Sequence, residues 1–372
     1  MTSLSELLHK VVHAALVPGA VGRVGGRDAA VVVAGVTAVG GRAFEGNEIF
    51  RIQSMTKAVT TVAALRCVES GLISLDSAVE AWLPELANRR VLTSPAAALD
   101  DTVPAVRAIT LRHLLTNGSG YGSIFDDSPL KQAMLDNGTE AGAEPLSMGA
   151  GEWLSRLADL PLVFHPGEGW RYHHSFGILG ILLSRLSGQP LGDFLERDLL
   201  GPLGMHDTGF WVSEDGLTRL PAAYRHTADG FVELEPAAGG FYAGPPPFDV
   251  SHGELVSTVH DYGRFLSMLT GGGVAGGRRI LSAEHLRLMT TDQVPESNKT
   301  PGSFFPGFWN GTGWGFGVAV QSGGKHPGRY GWSGGLGTDF YVDPDGTTGI
   351  LLTQVELDQD TMPLLEEFQE LS

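Results

Sequence analysis

Phe50-Arg51-Ile52-Gln53-Ser54-Met55-Thr56-Lys57 is the stretch on which the reading of this chain turns. Residues 49–53 are short and rich in β-formers, and they read as a strand. From Ser54 the period changes. Met55, Ala58, Val59 and Val62 recur at helical spacing, so a helix is predicted over 54–70, stopped by Gly71. Positions three apart share a helix face, which brings the Lys57 amine to the Ser54 hydroxyl. Serine is a weak nucleophile until a neighbouring base takes its proton. A helix N-terminus also favours the negative charge that then builds up. The S-x-x-K spacing is not specific by itself, because Ser128…Lys131 and Ser322…Lys325 match it too. Ser128 precedes a proline and reads as a helix N-cap, and Ser322 sits in a diglycine turn. Only Ser54 follows a strand and opens an apolar-faced helix.

Outward from this stretch, the bulk properties narrow the class. The chain has 372 residues, a formal net charge of −17, 42% apolar and 18% charged residues. That is a globular balance with room for two domains. No basic cluster exists, which argues against nucleic acid and against an anionic membrane surface as partners. The single cysteine, Cys67, excludes an internal disulfide and fits a reducing compartment; at helical spacing it reads as a small buried residue. The first residues lack the basic start and apolar run of a signal peptide. No apolar stretch reaches the roughly 18 residues that span a bilayer. The expectation is a cytoplasmic protein.

Strand signals lie at both ends of the chain. Residues 29–35 and 49–53 carry them near the start, and residues 317–321, 330–332, 339–342 and 349–353 carry them near the end, with Asp343-Pro344-Asp345-Gly346 as a hairpin turn. The middle reads as helices (from 109, over 176–186 and over 255–269) joined by long loops. This predicts one discontinuous α/β domain, 1–75 and 276–372, with a mainly helical domain, 76–275, inserted into it.

Several ordered fragments carry a resemblance to a family. The 50–57 stretch, Ile109-Thr110-Leu111-Arg112-His113-Leu114-Leu115-Thr116, Pro202-Leu203-Gly204-Met205-His206-Asp207-Thr208-Gly209-Phe210 and Gly253-Glu254-Leu255-Val256-Ser257-Thr258 resemble class C β-lactamases, DD-peptidases and family VIII carboxylesterases, over roughly residues 15–356. The resemblance implies an α+β fold with an antiparallel sheet flanked by helices, an inserted helical domain, and a site at their interface. It makes Ser54 the acyl-accepting nucleophile and Lys57 its partner. Tyr172, within Trp170-Arg171-Tyr172-His173-His174, matches the tyrosine of the family's Tyr-x-Asn motif. Free tyrosine and lysine titrate near about 10 and about 10.4, yet as neighbours they can share one proton and serve as a base. Tyr330-Gly331-Trp332-Ser333-Gly334-Gly335 matches the third motif, Lys-Thr-Gly. It implies an oxyanion hole from the backbone N–H groups of Ser54 and Gly335, with Ser333 and Gly334 beside the substrate.

Two departures bear on substrate. Trp332 stands where many relatives have a lysine that holds the substrate carboxylate, and an indole carries no charge. His174 stands where relatives have an asparagine that contacts the substrate amide. Together these favour small uncharged esters, with β-lactam, D-amino-acid amide or DD-peptide hydrolysis and acyl transfer as alternatives on the same site. Tyr121 on the 117–150 loop, Phe241 and Tyr242 on 236–252, and Phe308 and Trp314 on 300–316 are candidate pocket residues. No cofactor and no metal are implied; among the 12 histidines no H-E-x-x-H occurs. Gly331-Trp332-Ser333-Gly334-Gly335 matches a nucleophile elbow, but no histidine follows Ser333 to complete that triad. A catalytically silent binding protein on the same scaffold is the non-enzyme alternative.

Overall fold

The computed structural model describes residues 3–142 and 145–371. Seven strands form one antiparallel sheet: β1 (Gly19–Gly25), β2 (Val32–Gly35), β3 (Thr312–Trp314), β4 (Ala319–Gln321), β5 (Tyr330–Gly334), β6 (Thr338–Val342) and β7 (Thr348–Leu352). Their spatial order is β3-β4-β5-β6-β7-β1-β2. The early and late strands therefore meet inside the sheet, one strand in from the β2 edge, where β1 pairs with β7 and Arg23 lies opposite Ile350.

Strand side chains alternate between faces, and here both faces are covered. Phe340, Val342, Ile350 and Leu352 point into the main core, while Tyr341 and Leu351 point into a second one. The second core is closed by α1 (Leu4–His13) and by a C-terminal helix. In α1 the buried positions are Leu4, Leu7, Leu8 and Val11, a single stripe, and a Ser3–Glu6 capping box starts the helix. The main core is closed by α2 (Thr56–Glu69) and by further helices. Eleven of the fourteen residues of α2 are buried, so it runs through the centre of the molecule rather than over its surface.

The helical part centres on α3 (His174–Ser187), buried from His174 through Leu183 and ended by Gly188 in the left-handed conformation. Helices over 111–115, 129–137, 150–158 and 191–195 surround it. Then α4 (Val259–Thr270) follows, capped by Thr258. The sequence assigned α4 to the helical insert. It lies instead against the sheet, and a Cβ on its Gly263 would meet Arg23 of β1 and Ile350 of β7. On this packing we place the division just before α4 rather than at 275. The last helix, α5, is Met362–Gln369. No helix among the described residues is long and apolar enough to cross a membrane.

One contact between α2 and the late-strand region depends on glycine. Gly317 has φ +72°, and a Cβ there would lie 2.3 Å from Thr61 Oγ1 and 2.9 Å from the Lys57 carbonyl. Gly317→Ala therefore adds both backbone strain and overpacking against α2. The expected cost is about 1–3 kcal/mol, read as a lower urea midpoint with the active-site helix displaced.

Candidate active site

The turn that carries Ser54 is held from both sides. Phe50–Arg51 pairs with Val256–Ser257, and Ile52 N donates to the Leu255 carbonyl at 3.0 Å. Thr338 Oγ1 of β6 donates to the Ile52 carbonyl at 3.0 Å. Gln53 then takes a left-handed φ of +49°, which a non-glycine residue adopts rarely and at a cost. A short 3-10 turn, Gln53–Met55, leads into α2. Tyr262 Oη of α4 donates to the Met55 carbonyl at 3.0 Å. Ser54 is thus presented, half-buried, at the start of a fixed helix.

Lys57 lies one turn on and is wholly buried. Its Nζ donates to Ser54 Oγ at 2.9 Å and to the backbone carbonyl of His252. It also sits 4.5 Å from the centroid of the Tyr172 ring. No carboxylate offsets its burial, so desolvation alone pushes the amine well below the ordinary lysine range. Tyr172 approaches from the residue just before the turn into α3. Burial raises its phenol, while hydrogen bonds with Ser54 and Trp332 work the other way. The Trp332 indole Nε1 donates to Tyr172 Oη at 2.6 Å. The chain of contacts is therefore Trp332, Tyr172, Ser54, Lys57, His252.

Strand β5 reaches this centre through its last residues. A Cβ on Gly334 would lie 2.5 Å from the Ile52 carbonyl and 2.9 Å from Gln53 Cβ, so only glycine lets the strand dock on the nucleophile turn. Gly335 follows, with Gln53 Oε1 3.9 Å from where its Cβ would stand. Trp332 rests edge-on against Trp314 (4.7 Å, 90°) and beside Tyr172, Phe304 and Phe308.

The structure brings Ser54, Lys57, Tyr172, Trp332 and Gly335 together. Four other predicted contacts are corrected. His174 turns away; it is wholly buried, and its Nε2 meets the Thr139 carbonyl at 2.7 Å. Burial holds its imidazole down at about 4, hence neutral. Ser333 points to the opposite face of the sheet from Trp332, where its Oγ donates to Asp339 at 3.2 Å. Gly334 is buried under the nucleophile turn rather than open to a substrate. Tyr121 is 4% exposed in the main core, with its hydroxyl toward Arg89. Of the loop aromatics, Phe241 and Tyr242 pack against Ile49 and Val212. Trp314 is buried behind Trp332, and Phe308 joins a half-buried rim with Phe304 and Trp309.

The His252 carbonyl has no signature in residue type, because any residue could supply it. His173, at φ +94° and ψ −73°, lies against His252, with ring centroids 3.9 Å apart and planes tilted by 39°. Beside these rings lies a cavity of about 20 Å³, room for about one water. A larger cavity, about 670 Å³, lies between α3 and the 245–249 loop and is lined by none of the predicted residues. The other two S-x-x-K matches serve elsewhere. Ser128 caps the 129–137 helix, and Lys325 pairs with Glu370. Burial pushes the Cys67 thiol up to about 11, so it is not a reactive thiolate. Among the described residues, one group of three side chains stands close enough to share a cation, His226, Asp358 and Asp360, and it includes no residue of this site.

The Beta-lactamase family model matches residues 6–358. The chain belongs to the Beta-lactamase family. It is 37% identical over 306 residues to Protein Rv1367c of Mycobacterium tuberculosis, covering 80% of this chain and 74% of that one. It is 29% identical over 350 residues to Esterase EstB of Burkholderia gladioli, covering 87% and 82%. Among solved structures it resembles EstCE1, described as a hydrolase with promiscuous acyltransferase activity, with a TM-score of 0.80 at 23% identity over 98% and 96% of the two chains. Members of this family are serine hydrolases, and the chain is an enzyme of that class.

An amine buried without a counter-charge costs stability. Folding lowers the proton affinity of Lys57, so this cost is absent above about pH 10.4 and grows as pH falls toward the lowered folded value. Lys57→Met is expected to lower activity at least about 10³-fold, the scale of losing a general base together with its hydrogen bond to the nucleophile. Its melting temperature should equal or exceed that of the natural chain, by more at pH 7 than at pH 9. Differential scanning calorimetry at the two pH values checks this.

Proposed function

We propose that this chain is a carboxylesterase that forms an acyl-enzyme on Ser54 and acts on small uncharged esters. Ser54 Oγ attacks the ester carbonyl, and its proton passes to the Lys57–Tyr172 pair. That pair has the same proton count as amine plus phenol or as ammonium plus phenolate. Burial of both groups favours the neutral form, and in that form the amine is the base. On collapse of the tetrahedral adduct, the carbon–alkoxy bond breaks and Tyr172 gives its proton to the leaving oxygen. The Lys57 ammonium then returns a proton to Tyr172. Water repeats the sequence to release the acid; an alcohol in its place would give acyl transfer. The N–H groups of Ser54 and Gly335 are assigned to the oxyanion, each donor worth about 10²–10³ in rate. The lone cysteine supports a cytoplasmic setting.

The observation that carries the ester reading is the surroundings of Trp332. Its ring neighbours are Tyr172, Phe304, Phe308 and Trp314, and it supplies no cation for a substrate carboxylate. The similarity to Esterase EstB supports the same reading.

The test compares a short-chain p-nitrophenyl ester with a chromogenic cephalosporin, each with the natural chain and with Ser54→Ala. Ester turnover abolished by Ser54→Ala, with little cephalosporin turnover, is the expected result. Fast cephalosporin turnover would overturn the argument from Trp332, and an active Ser54→Ala variant would overturn the mechanism.

A further inference from the structure

We propose that Trp332 is a positioning residue for catalysis: its indole N–H holds the Tyr172 oxygen as proton donor to the leaving group and so fits the site to esters of unactivated alcohols. The inference rests on the esterase reading above and deepens it.

The argument starts from the 2.6 Å contact between Trp332 Nε1 and Tyr172 Oη. An indole nitrogen is a donor only. It therefore occupies one lone pair of the phenolic oxygen in every protonation state and never competes for the proton. The other lone pair and the O–H remain for Ser54 and the substrate. A hydrogen bond to a charged acceptor is about twice as strong as one to a neutral acceptor. The indole thus stabilises phenolate more than phenol and makes the Tyr172 O–H a better acid at the moment of transfer. It counteracts the burial that pushes this phenol up.

The donor is aimed in advance. Trp332 lies on β5 opposite Phe340, and its ring is fixed edge-on at 4.7 Å by the fully buried Trp314. The same strand ends at Gly334, and Gly335 follows it directly, so the proton donor's support and the proposed oxyanion N–H lie three residues apart on one continuous stretch. During collapse of the adduct, the Tyr172 O–H bond breaks, the proton joins the departing alkoxide, and the Lys57 ammonium refills the phenolate. An alkoxide needs that proton. A p-nitrophenolate does not, because it leaves as a stable anion.

The experiment measures kcat/KM for ethyl butyrate and p-nitrophenyl butyrate with the natural chain and with Trp332→Phe. This parameter reports acylation whatever the rate of acyl release. The expected result is a loss of about tenfold or more with the ethyl ester and at most about threefold with the p-nitrophenyl ester, on the scale of one charge-assisted hydrogen bond. The ratio of the two esters within one preparation cancels any loss of folded protein. In a Tyr172→Phe background, Trp332→Phe should add nothing further with the ethyl ester. Equal losses for the two esters, or a further loss in that background, would overturn the proposal while leaving the esterase reading intact. A natural chain that turns over neither ester would overturn both.

Discussion

A lysine amine buried without a carboxylate is the constraint on which the site depends. Lys57 is entirely enclosed, and its polar partners are the hydroxyl of Ser54 and a backbone carbonyl. Charging such a group is opposed by desolvation and assisted by nothing nearby. Desolvation therefore shifts the amine toward its free base relative to an exposed lysine. Nothing in α2 alone would keep it there. The helix must pass through the centre of the main core, and the strand of Leu255, the Thr338 hydroxyl and the Gly317 turn must all close against it.

The groups around Lys57 come from distant stretches of the chain. The sheet contributes Trp332 on β5 and Gly335 just after it. The helical part contributes Tyr172, at the entrance to α3. Two residues carry the backbone cost of the arrangement. Gln53 turns left-handed to lift Ser54 onto its helix, and His173 takes a rare conformation to turn the chain from Tyr172 into α3. Strain of this kind persists only where the surroundings over-determine it.

Much of this was legible in the sequence because it rests on periodicity. The switch from strand to helix at Ser54 and the late strands from 319 onward follow directly from side-chain spacing. Strand β1 was not legible, since Gly19, Gly22 and Gly25 interrupt its pattern. Helix α4 was legible as a helix but not in its placement, which is set by contact with Arg23 and Ile350 far away in sequence. At the site, Ser54, Lys57, Tyr172 and Trp332 came from spacing together with family resemblance. Ser333 was misplaced although strand alternation already puts it opposite Trp332. His174 and Tyr121 were misplaced for another reason. Motif position says nothing about which way a ring turns, and their partners, Thr139 and Arg89, are supplied by tertiary packing. The His252 carbonyl is a backbone group and leaves no trace in residue type.

The most direct measurement of the central claim is the titration of Lys57 itself. The chain has only five lysines, so ¹³Cε labelling of lysine and NMR across a pH series can follow each amine separately. The account predicts one lysine that titrates well below about 10.4, with its signal absent from Lys57→Met. If all five lysines titrate near the ordinary value, or if the low one survives that substitution, Lys57 is not a free base in the folded chain and the account is contradicted.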